Sequence, residues 1–383
     1  MRELAVNERE EFAEFFGTIF GSLPRSDQRS AAESYVLGLL HAGGRKSIQR
    51  IADEVGGPHN GQSLQQFVNQ SRWDPRPVRR TVADVLAAGA PPAAWLVEEV
   101  AFTKHGRWSA GVERQYVRGL GRTVNCQVGA AVLMSSGEAA VPVNWRLCLP
   151  QSWEADHDRR ARAHVPDQER HRPFGEHVID LVDDLTLDWG TPVAPLVADL
   201  THVRGVADLL RGLEDRGLDY VVEVDARHRV RASMSVVRGG GPRARVALAE
   251  AAQAAAGLER RTVAWWEGPR GRSLRSQFVL LPVSDEQARS RRLLVEWPLG
   301  RPRPRAFWLT NMSVPAQELV ALAKSRWRAA HAIGELAGGF GLFDYEGRSF
   351  HGWHHHVTLA SAAYAYDVRW RLATGAEPAL LPA

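Results

Sequence analysis

Residues 323–348 read AKSRWRAAHAIGELAGGFGLFDYEGR, and the first half belongs to a helical pattern that runs through 316–336. Positions i, i+4, i+7 and i+11 share one face of an α-helix, so Arg326, Ala330, Ile333 and Ala337 line up together. That face carries no carboxylate. Glu335 lies about 140° round from Ala330 and His331 about 100°, at roughly 100° per residue, so neither reaches the same face.

Upstream of this helix the pattern changes along the chain. Residues 1–90 read as helical: Phe12, Phe15, Phe16, Ile19 and Phe20 recur at helix spacing, Ser26-Asp27 fits an N-cap, and 31–40 continues the pattern. Segments 47–52 and 63–68 read as two short helices about a Gly56-Gly57-Pro58 turn, a pattern similar to a helix-turn-helix module or to a helical bundle held by packing alone. Next come apolar runs that end in acids, Trp95 to Glu98-Glu99 and Pro195 to Asp199, separated by strand-like 124–133 and helical 174–187. Such strand ends are where α/β folds place ligands. Residues 220–312 are mostly strand-like, and 353–372 closes the chain as a helix.

The 383 residues allow several domains or one domain with a large insertion. With 44% hydrophobic and 24% charged residues the composition is that of a soluble globular protein. No apolar run reaches the length of a membrane span and the first residues do not resemble a signal peptide, so a cytoplasmic protein with no membrane partner is expected. Cys126 and Cys148 build no disulfide framework and lack metal-ligand spacing.

The formal net charge of +4 permits a nucleic-acid partner. Lysine occurs only at 46, 104 and 324 while arginine is abundant, a skew that a GC-rich genome explains by itself. Clustering is more informative. Arg227, Arg229, Arg231, Arg238, Arg243 and Arg245 surround Gly239 to Gly241, and Arg291, Arg292, Arg301, Arg303 and Arg305 form a second group. Loops this basic can track a duplex backbone, against the alternative of a solvated surface. Trp265, Trp266 and Trp308 are candidates for stacking on bases, core packing being the other fate of such rings.

Arg326 and Trp327, then Leu342, Tyr345, Glu346, Gly347, Arg348, Ser349 and His354 to His356, match an R-W-x-x-E helix followed by L-x-x-Y-E-G-R-S and histidines. In this the chain resembles DDE-type insertion-sequence transposases of the insertion sequence 701 type. Further blocks agree in order: Glu113 to Tyr116, Asn125 to Gly129, Asn144 to Leu147 and Ser152-Trp153, then Trp266 to Gly268, Leu274 to Ser276, Glu296 to Pro298 and Trp308 to Asn311. The resemblance implies an α/β fold: a ribonuclease H-like core with an N-terminal helical domain and a β-rich insertion before the last catalytic helix. Taken with the helical pattern of the N-terminal region, which the resemblance does not cover, it divides the chain into 1–90, a helical domain expected to bind DNA; 91–220, the first part of the core; 221–312, the insertion; and 313–383, the helical completion.

The resemblance also implies chemistry. DDE enzymes hold two divalent cations with three carboxylates, one ion activating the nucleophile and the other stabilising the leaving oxygen. Carried over, D-D-T-G-F becomes Glu98-Glu99-Val100-Ala101-Phe102, and A-D-A-G-Y-G becomes Ala198-Asp199-Leu200-Thr201-His202-Val203. The glutamate four residues after Arg326 becomes Ala330. Catalytic positions are therefore Glu98, Glu99, Asp199 and Arg326, with Asp199 and Glu98 the candidate metal ligands. No cofactor is expected of a degenerate triad, and Mg²⁺ or Mn²⁺ of a live one.

Arg348, His354 and His355 are counted with the two arginine clusters as DNA contacts, the histidines either meeting phosphate or packing the final helix. His351 and His355 share a helical face, but a zinc site needs further ligands and no cysteine is near. The expectation is a transposase-like protein that binds double-stranded DNA, has lost catalysis, serves a host regulatory role and forms a homodimer. Two alternatives stand beside it. One is an active strand transferase recruiting an acid such as Glu335; the other is an enzyme reusing the cleft with His202 or His331 beside Asp199.

Overall fold

The computed structural model describes residues 6–56, 59–137, 139–232, 244–255, 257–268 and 271–375. Arg238 and Arg243, with the Gly239 to Gly241 loop, lie outside the described residues, as does the Gly57-Pro58 part of the N-terminal turn.

Five helices open the chain: α1 Val6–Ile19, α2 Ser26–His41, α3 Ile48–Val55, α4 Gly61–Asn69 and α5 Pro75–Gly89. Ser47, Asn60 and Asp74 cap α3, α4 and α5 by accepting from backbone N–H groups, which satisfies donors the first turn leaves open. At α2 the expected cap differs: Ser26 is already helical and Arg25 stands at the cap with no side-chain bond.

Strands β1 Ala94–Thr103, β2 Glu113–Val117, β3 Arg122–Ser136 and β4 Ala139–Cys148 follow. Next are α6 His157–Arg162, α7 Phe174–Asp183, β5 Leu196–Asp199, α8 Val206–Asp215 and β6 Tyr220–Glu223. β3 is antiparallel to β1 and to β4, whereas β5 is parallel to both β1 and β6. The order β4-β3-β1-β5-β6 is the sheet of a ribonuclease H-like core. Residues 126–134 of β3 are buried throughout, as a strand covered by helices on both faces requires.

After β6 come β7 Arg229–Ala232, β8 Ala244–Ala247, α9 Leu248–Ala254, β9 Arg261–Glu267, β10 Arg272–Ser284, β11 Ser290–Pro298 and β12 Ala306–Thr310. β12 pairs antiparallel with β6. Among the described residues one sheet of twelve strands therefore runs β2-β3-β1-β5-β6-β12-β11-β10-β7-β8, with β4 on β3 and β9 on β10. The β-rich segment extends the core sheet edge to edge rather than forming a separate layer.

The expected helix over 316–336 is two helices, α10 Ala316–Lys324 and α11 Trp327–Gly339, with Arg326 at the cap between them in helical conformation. The last helix, α12 Phe350–Thr374, is buried from Gly352 through Ala365. A helix buried on all sides belongs inside a core, and its polar Thr358 and Ser361 hydroxyls donate to the carbonyls of His354 and Val357. Its Trp353 meets Phe102 and Trp145 edge-on at 5.4 and 6.2 Å, so closely that a Cβ at Gly129 would lie 2.9 Å from the indole. The N-terminal helices complete its surroundings. Arg79 of α5 is buried and donates to Thr358, Asn144 and the Trp145 carbonyl at 2.7, 3.3 and 2.8 Å. No helix among the described residues is long and apolar enough to cross a membrane.

Candidate functional site

β5 and β6 end in the acids Asp199 and Glu223, and Glu98 lies beside them inside β1, just past the last residue of β1 that pairs with β5. Asp199 and Glu223 are register partners, and Val97 and Ala198 are the pair immediately before Glu98 and Asp199. Side chains in register on parallel strands share a face, so Glu98, Asp199 and Glu223 project to the side covered by α10 and α11. Glu99 projects to the other face.

Arg326 sits over these acids, its Nη1 3.8 Å from Glu98 Oε2 and 3.5 Å from Asp199 Oδ2. Arg118, from the turn between β2 and β3, reaches the same Asp199 oxygen at 3.4 Å and donates to the Thr201 hydroxyl. Thr201 also gives Asp199 Oδ1 its backbone N–H at 2.9 Å and its hydroxyl at 2.5 Å. Burial works to raise the Asp199 carboxyl, but the Thr201 bonds and the two arginines hold it below its ordinary range. Glu98 has less support. Burial pushes it up to about 7 against the pull of Arg326. Burial, with Asp199 nearby, also raises Glu223.

Glu98, Glu99, Asp199, Arg118, Arg326 and Ala330 all line one open cleft of about 930 Å³. The structure thus brings Glu98, Asp199 and Arg326 together, with Glu99 reaching the cleft from the other face of the sheet and Ala330 presenting a methyl group to it. His202 Nε2 lies 3.4 Å from Glu99 Oε2, a contact that raises the imidazole above its ordinary value. Glu335 faces away from the cleft: Tyr364 donates to it at 2.6 Å and Arg371 at 3.1 Å, and His331 stands 3.8 Å off. This removes Glu335 as a recruited acid and His331 as a partner of Asp199.

Sequence reading missed Arg118 and Glu223. Glu223 closes the apolar run 220–222 as Asp199 closes its own, so the signal was present. Arg118 carries no such signal, because only the β2–β3 turn brings it to Asp199.

The two divalent ions implied by the resemblance do not fit this donor set. Asp199 already faces two guanidiniums, and Ala330 offers no donor. Among the described residues no three His, Cys, Asp or Glu side chains are arranged to hold a metal.

The expected DNA contacts divide. Arg229, Arg231, Arg301, Arg303, Arg305 and Arg348 are exposed, while Arg227 pairs with Asp225 at 2.9 Å and Arg245 with Glu286 at 2.8 Å. Arg291 is buried against Glu214 and Asp285. His354 and His355, expected at DNA, are buried instead. His354 Nδ1 meets Arg79 at 3.1 Å, and His355 lies between the Val68 and Trp73 carbonyls at 2.9 and 3.0 Å. With both ring nitrogens occupied, His355 is equally closed to zinc.

Trp265 and Trp308 are buried too. Their rings flank Lys324 Nζ at 4.2 and 4.8 Å, and Glu296 binds that ammonium at 2.7 Å. Only Trp266, 61% exposed, remains open for stacking.

A profile described as DDE superfamily endonuclease matches residues 18–272, which include β1 and β5 with Glu98 and Asp199 and stop short of α11. A search of the curated proteins found no match. With two thirds of its length matched, and with a ribonuclease H-like sheet whose neighbouring parallel strands carry the acids side by side, the chain belongs to the DDE superfamily endonuclease family.

Proposed function

We propose that this protein is a transposase-like DNA-binding protein that no longer cuts or joins strands and serves its host in a regulatory role. The observation that supports this most is the pair of arginines on Asp199. A guanidinium neutralises a carboxylate but has no open coordination position and does not deprotonate. It cannot generate a hydroxide or bridge attacking and leaving oxygens as a metal pair does. Ala330 agrees, since its methyl group lines the same cleft and has no donor atom to complete a ligand set.

The exposed arginines at 229, 231, 301, 303, 305 and 348 support duplex DNA as the partner, through counterion release. The test is the affinity of the full chain for a labelled duplex in EDTA across a salt series. Log affinity should fall linearly with log salt, by about 0.9 per phosphate contacted. No binding at low salt, or a flat response, refutes the reading.

A second reading, an active nuclease, draws support from Glu223, which supplies a third acid beside Asp199. It requires Arg118 and Arg326 to leave Asp199 when metal arrives.

A further inference from the structure

The loop that leaves β1 carries Trp108, with two guanidiniums against its ring. Cζ of Arg107 lies 4.6 Å from the ring centroid and Cζ of Arg162, from α6, lies 4.4 Å from it. The loop and α6 are fastened together by Arg159, which stacks on Trp153 at 4.2 Å. Arg159 also donates to the carbonyls of Arg107 and Val112 at 3.3 and 2.7 Å. On the other side Asn125 donates to the carbonyls of Lys104 and Gly106 at 2.8 and 2.7 Å. Backbone on both sides of Arg107 is thereby fixed.

The two guanidiniums have capacity to spare. Arg162 gives its Nε to Asp158 at 3.1 Å, with its side chain still 58% exposed. Arg107 is exposed, and among the described residues no carboxylate or carbonyl takes a hydrogen bond from its side chain. A guanidinium stacked on an indole keeps its N–H donors in the ring-parallel plane, where they match the oxygens of a phosphate. Being already ordered, it loses little rotamer freedom on binding. His105, two residues before Arg107, lines the acidic cleft.

We propose that Arg107, Trp108 and Arg162 form a preset phosphate clamp that holds the backbone of duplex DNA at the mouth of the cleft. This rests on the DNA-binding reading above, and assigns to the core a contact that the arginine clusters of the β-rich segment do not supply. Cationic stacks commonly serve only to pack a loop; the unclaimed Arg107 donors and the exposed Arg162 edge favour a ligand.

The test compares the full-length wild type with R107Q/R162Q, R107K/R162K and R301Q/R303Q/R305Q, using a labelled duplex in EDTA over a salt series. Loss of two phosphate contacts should make the R107Q/R162Q slope shallower by about 1.8. R107K/R162K keeps both charges without the planar stack, so it should hold the slope near wild type and bind more weakly. If the wild type binds and R107Q/R162Q matches it in affinity and slope, the clamp is refuted while the DNA-binding reading stands, with R301Q/R303Q/R305Q locating the contact elsewhere. No binding by the wild type refutes both.

Discussion

Glu98 shows how one buried side chain reports on the state of the site. Burial raises its carboxyl to about 7 despite Arg326, far above the range it has in an unfolded chain. At low pH folded and unfolded chains both hold the proton. As pH rises toward 7 the unfolded chain releases it and the folded chain does not, so this group opposes folding increasingly, and the effect levels off above about 7. Glu98→Gln removes the titration. Melting temperatures measured from pH 5 to 8 should therefore shift in the variant's favour as pH increases; a constant difference would show that Glu98 is ionised throughout. The same residue marks what was legible. An apolar run closed by acids identified Asp199, at the end of β5, and Glu98, just past the last residue of β1 that pairs with β5. Which of Glu98 and Glu99 faces Asp199 was not legible, since that depends on the registers of two strands some hundred residues apart. Nor was Arg118, whose partner is chosen by the path of a turn.

Among the elements, the N-terminal helices and α12 behave as one unit. The expected helical region was legible from apolar spacing, but its partner was not. A run of histidines suggests a wet surface, yet Tyr35, Val68, Trp73 and Arg79 each supply a hydrogen-bond partner to His354, His355 or His356. His356 meets the Tyr35 hydroxyl at 3.0 Å on one ring nitrogen and the Gly341 carbonyl at 3.0 Å on the other. Removing residues 1–85 would strip these partners from three buried rings and expose α12, and each orphaned buried polar group costs roughly 1–3 kcal/mol. The truncated chain should lose near-ultraviolet circular dichroism and cooperative melting. A truncated protein that melts cooperatively would show instead that α1 to α5 form a separable module. Sequence preference is better sought by substituting exposed residues of α3, such as Arg50, which leaves the shared core intact.

At the scale of the whole molecule, one sheet joins the ribonuclease H-like core to the β-rich segment, with the acids side by side on the parallel strands and α11 laid over them. The order of elements was readable because strand and helix periodicities differ. The continuity of the sheet was not, because the β6–β12 pairing spans the whole intervening segment. On the proposed reading, Arg118, Arg326 and Ala330 stand in this cleft where an active nuclease would need metal ligands. The most direct test is incubation of the wild-type protein with supercoiled plasmid in Mg²⁺ or Mn²⁺. The account predicts plasmid that is bound but remains supercoiled, in the wild type and in Asp199→Ala alike. Metal-dependent nicking by the wild type, abolished by Asp199→Ala, would contradict it.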